Sequence, residues 1–196
     1  LDGAGVPVEV RVATGEPGPL AVAAARDAGC GLVVTGSSRS GVAMRVDPGS
    51  TVRWLARHAS VPVLAVHDRV AGPYRNVCVA SDYSPAAAAA LRLADGWFAD
   101  AEQRTLLHGY EVPLSTLALD DATRAAALSQ AQVEAEAAAR AHVQQVLGDT
   151  AARWQSLARL HGPVRLLREH AHESGNDLTV IATHGRSALM DRLVGS

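Results

Sequence analysis

Thr183, His184, Gly185, Arg186 and Ser187 follow a short apolar, β-branched run, Leu178 to Ala182, and the pair Gly195-Ser196 closes the stretch. A buried strand that feeds a small polar loop and then a helix start is how α/β proteins present backbone N–H groups to phosphate. The donors here would be the N–H groups of Gly185, Arg186 and Ser187, then that of Ser196. Glycine allows close approach or a positive φ. Arg186 adds charge, and the hydroxyls of Ser187 and Ser196 can donate to phosphate oxygens.

One such loop is a weak signal, but the chain carries it twice. Leu32 to Gly41 reads the same way, with Gly36, Ser37, Ser40 and Gly41 in the loop and Gly49-Ser50 closing it. Placing Gly36 on Ala182 puts Met44 on Met190, Gly49 on Gly195 and Ser50 on Ser196 without a gap. An offset of about one domain length points to duplication rather than a short solenoid array.

The pattern Gly-x2-Gly-x9-Gly-Ser/Thr after a buried strand resembles the nucleotide-binding loop of the universal stress proteins, here as Gly36-x2-Arg39-x9-Gly49-Ser50 and Ala182-x2-Gly185-x9-Gly195-Ser196. The resemblance spans nearly the whole chain. Each copy departs at one glycine. Ala182 adds a methyl at the strand end, whereas Arg39 must pay for a positive φ and can itself fill the phosphate position, so the first copy reads as a degenerate site.

The resemblance implies an open parallel five-stranded α/β sheet of order 3-2-1-4-5 with helices on both faces, in two tandem copies, both incomplete in this chain. Residues 1–68 would be the later part of the first copy, 69–75 a linker, and 76–196 a second copy lacking its last helix and strand. On that expectation the chain is an internal fragment, lacking roughly 70 residues in front and roughly 20 behind, judged from the repeat offset. The resemblance also implies ATP as ligand, with magnesium accompanying it, and other universal stress domains as partners, in a pseudo-dimer within the tandem or in a homodimer.

Asp82 ends the first strand of the second copy. Carboxyl ends of strands around an order reversal form the ligand crevice of an open parallel sheet. The resemblance puts Asp82 beside the adenine and ribose; the plainer alternative is that Asp82, with Ser84, caps the following helix, and both can hold. His108 and Gly109 end the second strand, where the family places an apolar residue against adenine. Gly109 offers little surface there, and Tyr83 or Tyr110 would supply an aromatic face or pack at the sheet edge. His184 reads as a loop-surface residue rather than a general acid–base. His170 and His172 lie two apart on a helix, so they face different directions, and both read as solvated without metal spacing.

The elements that must position these residues alternate. Val6 to Val12 reads as a strand, Leu20 to Ala28 as a helix opened by Pro19 and stopped by Gly29, and Gly31 to Thr35 as a strand. Ser50 or Thr51 caps a helix to about His58, and Val61 to Val66 is a strand that Pro62 restricts to an edge or a start. In the second copy, strands are expected at Asn76 to Ser81, Thr105 to Gly109, Trp154 to Leu160 and Leu178 to Ala182. Helices run from Ala86 to about Phe98 with Ser84 as cap, through a long span to about Leu147 capped by Asp120 or Asp121, and from Gly162-Pro163 to about Glu173.

The 196 residues allow one large or two small domains. Hydrophobic residues make up 48% and aromatics only 4%, so the core is built from Ala, Val and Leu. A net charge of −2 without a basic stripe gives nucleic-acid binding no support, and no apolar run reaches membrane-spanning length. The two cysteines, Cys30 and Cys78, read as buried reduced thiols in a cytoplasmic protein. Three functions remain: an ATP-binding regulatory module of the stress response with no catalytic residues, an interaction scaffold that binds no nucleotide, and a slow ATP hydrolase.

Overall fold

Pro17, with its fixed φ, opens the first helix, α1 (Pro17–Asp27), three residues earlier than the sequence suggested. We describe a computed structural model, which covers residues 5–36, 49–67 and 72–183. The chain divides into two units, Leu1–Val70 and Ala71–Ser196.

In the first unit α1 is followed by β1 (Val33–Gly36), α2 (Ser50–His58) and β2 (Val63–Val66). The two strands pair in parallel from Val33↔Val63 to Gly36↔Val66. Pro62, lacking an N–H, sits just before β2 and offers its carbonyl to the Val33 N–H at 3.0 Å. Val33, Val52 and Leu55 are buried, and Trp54 of α2 lies on Gly18 of α1. The strand expected at Val6 to Val12 is absent: that segment is irregular, and Val12 is 95% exposed. Alternating valines make a strand only where a neighbour takes up their backbone bonds, and no neighbour among the described residues does.

The second unit runs β3 (Asn76–Ala80), α3 (Pro85–Trp97), β4 (Gln103–Tyr110), α4 (Leu114–Leu117), α5 (Asp121–Leu147), a 3₁₀ helix (Gly148–Arg153), β5 (Gln155–Leu160), α6 (Pro163–Ser174) and β6 (Leu178–Val180). Its four strands are all parallel, in the order β5-β4-β3-β6. The expectation of five-stranded sheets in two tandem copies is therefore corrected: the described sheets have two and four strands and differ in their helices. Within the four-stranded sheet, the relative order is the one implied for the first four strands.

Alternation along β3 sends Val79 to one face and Cys78 and Ala80 to the other. Val79 joins Leu91 of α3, Leu106 of β4, Ala139 and Val143 of α5, and Trp154. Cys78 and Ala80 join Leu107 of β4 with Leu166 and Leu167 of α6. Helices thus cover both faces, as a parallel sheet requires. Asp177 fixes the amino ends of two strands by accepting from the N–H groups of Arg75 and Asn76, at 2.9 and 3.1 Å.

Candidate nucleotide site

β3 lies between β4 and β6, so the chain leaves β3 for one side of the sheet and returns on the other. The carboxyl ends of β3 and β6 therefore flank the point where strand order reverses, the place at which open α/β sheets bind ligands. Asp82 stands two residues beyond β3, half-buried. Its Oδ1 accepts from the Ser84 N–H at 3.1 Å, while the Ser84 hydroxyl accepts from the Ala87 N–H at 3.1 Å and caps α3. The capping role expected of Asp82 and Ser84 is thus present.

Between them Tyr83 takes φ 59, the one positive φ of a non-glycine residue among the described residues. A side chain in that region costs on the order of 1–2 kcal/mol. Ser81 offsets the cost by accepting from the Tyr83 N–H through its hydroxyl at 3.1 Å. The Tyr83 ring stacks on His108 with centroids 4.1 Å apart and planes 20° from parallel, and it meets the His142 ring at 4.8 Å. His108 donates its Nδ1–H to the Ser81 carbonyl at 2.8 Å, which sets its tautomer. Burial pushes the Tyr83 hydroxyl up to about 12. Tyr83 is therefore packed into the unit and does not stand open as an aromatic face.

Gly109 is required by close approach. A Cβ there would stand 2.7 Å from the His161 carbonyl oxygen and 3.3 Å from Leu166 Cδ2. Leu166 and the turn after β5 fill the space beside Gly109. Tyr110, on the β5 side of the sheet, lines a cleft of about 350 Å³ with Leu128, Gln132, Arg159 and Leu160.

β6 runs beside β3 with Val79 opposite Val180, so the chain leaves toward Thr183 at the end of the sheet that carries Asp82. Thr183 is exposed. His184, Gly185, Arg186, Ser187, Gly195 and Ser196 lie outside the described residues, as do Ser37, Arg39, Ser40 and Gly41 of the first loop. Gly36 ends β1; Gly49, with φ 84, precedes α2, which begins at Ser50. Gly49 rather than Ser50 or Thr51 occupies the cap position, and no side chain caps that helix.

Two histidine and cysteine expectations change, for His170 and for Cys30. His170, expected in solvent, is half-buried and its affinity for a proton is lowered by burial; His172 is exposed. Cys30 is exposed, whereas Cys78 is buried with its thiol pushed up to about 12. His142 escaped the sequence reading, although Ala139, His142, Val143 and Val146 have the spacing of one helix face. Among the described residues no cluster of His, Cys, Asp and Glu could hold a metal ion, and no helix is long and apolar enough to cross a membrane.

A model of the universal stress protein family matches residues 1–67 and 73–196. No curated protein matches the chain. Among solved structures, one from Mycobacterium tuberculosis H37Rv is 22% identical, with 65% of this chain and 85% of that one covered and a TM-score of 0.37. A universal stress protein in complex with cAMP is 19% identical, covering 64% of this chain and 87% of that one, TM-score 0.41. A Pseudomonas aeruginosa UCBPP-PA14 protein assigned to the same family is 19% identical, covering 88% of this chain and 61% of that one, TM-score 0.48.

Proposed function

The chain belongs to the universal stress protein family, and on that premise we propose that it is a nucleotide-binding regulatory module whose ligand is an adenine nucleotide. The observation that carries this is the position of Asp82, at the carboxyl end of β3 where strand order reverses, beside the strand that leads to Thr183. A half-buried carboxylate at that strand end is of the chemical type that accepts from ribose hydroxyls. The phosphates would fall to the N–H groups and hydroxyls of residues 183–187 and 195–196, with magnesium accompanying a triphosphate. Binding would act by favouring one conformation, or one assembly with other universal stress domains.

A second function, an interaction scaffold without nucleotide, is favoured by Gly109, because the place of an adenine-facing side chain is taken by the His161 carbonyl and Leu166. Titration calorimetry of the whole chain with ATP separates the two. The first expects saturable binding that Asp82→Ala and Gly185→Val each weaken by at least about tenfold, the loss of a charge-assisted hydrogen bond or of the loop's approach. Absence of heat with ATP, ADP, AMP and cAMP alike would favour the scaffold.

A further inference from the structure

Tyr83 holds its unfavourable φ of 59 on the very loop that carries Asp82. Its ring is kept there from two sides, by His108 of β4 at 4.1 Å and by His142 of α5 at 4.8 Å. Two polar atoms in this cluster, the Tyr83 hydroxyl and His142 Nε2, are buried and have no hydrogen-bond partner. A neutral imidazole tolerates an unbonded ring nitrogen, whereas an imidazolium carries an N–H there that needs an acceptor.

The groups around His142 divide. Burial weighs most against a proton, His108 of β4 and Arg92 of α3 add repulsion, and Asp82 on the β3–α3 loop attracts one. Tyr83 supplies a ring face from the same loop. β5, which α5 also covers, brings Arg159, and α5 itself brings Glu136; both of these act on Tyr110.

We infer that Tyr83, His108 and His142 form a proton-sensitive latch: with His142 neutral, the stack pins the Asp82 loop against the sheet, and a proton on His142 opens the stack and releases the loop. The strain held at Tyr83 then relaxes as the stack opens. The latch itself stands on the geometry. Its consequence, a ligand affinity that changes with pH, rests on the nucleotide function proposed above.

Amide hydrogen exchange of the ligand-free full chain, followed from about pH 7.5 to about pH 5.5 and corrected for intrinsic rates, tests it. The Tyr83 and Ser84 amides, bonded to Ser81 Oγ and Asp82 Oδ1, should lose protection by up to roughly tenfold per pH unit, the limit for one proton. Leu106, buried in β4, should stay protected. His142→Gln should abolish the dependence and His170→Gln should preserve it. Loop protection that ignores pH, or that keeps its dependence in His142→Gln, overturns the latch. Should that variant not fold, NMR titration of the unaltered chain decides: the midpoint of loop opening must coincide with that of the His142 ring, and separate midpoints overturn the latch. Titrating ATP in parallel keeps the two ideas apart, because a loop that responds to pH in a chain that never binds ATP supports the latch and removes the nucleotide function.

Discussion

Trp154 donates its indole N–H to Asp95 across 2.8 Å, joining the start of β5 to α3, two elements far apart in sequence. The other carboxylate oxygen accepts from the Thr150 hydroxyl at 2.8 Å, and Arg104 lies 3.8 Å away with its side chain only 10% exposed. One carboxylate therefore accepts from the 3₁₀ helix and from the β5 entrance, and lies beside the Arg104 guanidinium of β4. Asp95→Ala removes the acceptor of the Trp154 indole and the charge beside the Arg104 guanidinium, and should cost about 2–4 kcal/mol. Thermal unfolding should show this as a Tm lower by roughly 10 °C, with Asp95→Asn intermediate. A change within about 0.5 kcal/mol would mean that water replaces the carboxylate fully.

Two glycines should respond to alanine in opposite directions. At Gly109 the new methyl meets backbone, the His161 carbonyl oxygen at 2.7 Å, which a flexible side chain cannot relieve by turning away. Gly109→Ala should cost about 1–3 kcal/mol, the usual range for overpacking. Gly96 lies within α3, exposed, with nothing within 4 Å of the new methyl. Gly96→Ala should stabilise by roughly 0.5–1 kcal/mol by restricting the unfolded chain. Urea denaturation of both variants checks the signs.

The thiols should separate by reactivity. Cys30 is exposed, whereas Cys78 is fully buried between β3 neighbours and α6, with its thiol raised to about 12 by desolvation. The thiolate is the nucleophile, so a maleimide should label Cys30 in the folded chain and reach Cys78 only in denaturant, at least about a hundredfold more slowly under native conditions. Mass spectrometry reads this as one adduct before unfolding and two after. Rapid double labelling of the native chain would show that α6 opens readily.

How far the sequence was legible depends on how local each signal is. Ser84-Pro85, Asp120 and Gly148 mark helix ends through bonds and dihedrals within a few residues, and all of them stand where their chemistry placed them. Val6 to Val12 carries as clear an alternation but needs a neighbouring strand, which sequence spacing does not reveal. At the site, Asp82 was legible because a polar residue after a buried strand is itself a pattern. The stack of Tyr83 on His108 and His142 joins a loop, a strand and a helix that lie far apart in the chain, so no local pattern announced it. Cys30 misled for a related reason: its apolar neighbours belong to a helix end, where Gly29 at φ 62 turns the chain outward.

Stability should fall in mild acid, and the histidines set the window. His142 and His170 both bind a proton less readily than the ordinary 6.5, each chiefly because it is desolvated, so unfolding raises the proton affinity of both. The unfolded state then holds more protons than the native one below about pH 6.5, and by linkage stability drops as pH falls from there toward the folded-state values. Carboxylates such as Asp120 and Glu169, held below their usual range by hydrogen bonds from the Thr123 side chain and backbone and from Arg165, act in the same direction but at lower pH. Scanning Tm from about pH 7.5 to about pH 5.5 isolates the imidazoles from the carboxylates. The expected result is a decline that His142→Gln and His170→Gln each reduce and the double variant flattens. The two sites sit on opposite faces of the sheet, His142 on α5 and His170 on α6, so their effects should add. A wild-type Tm that holds constant across that window would show that both rings exchange protons with water in the folded state.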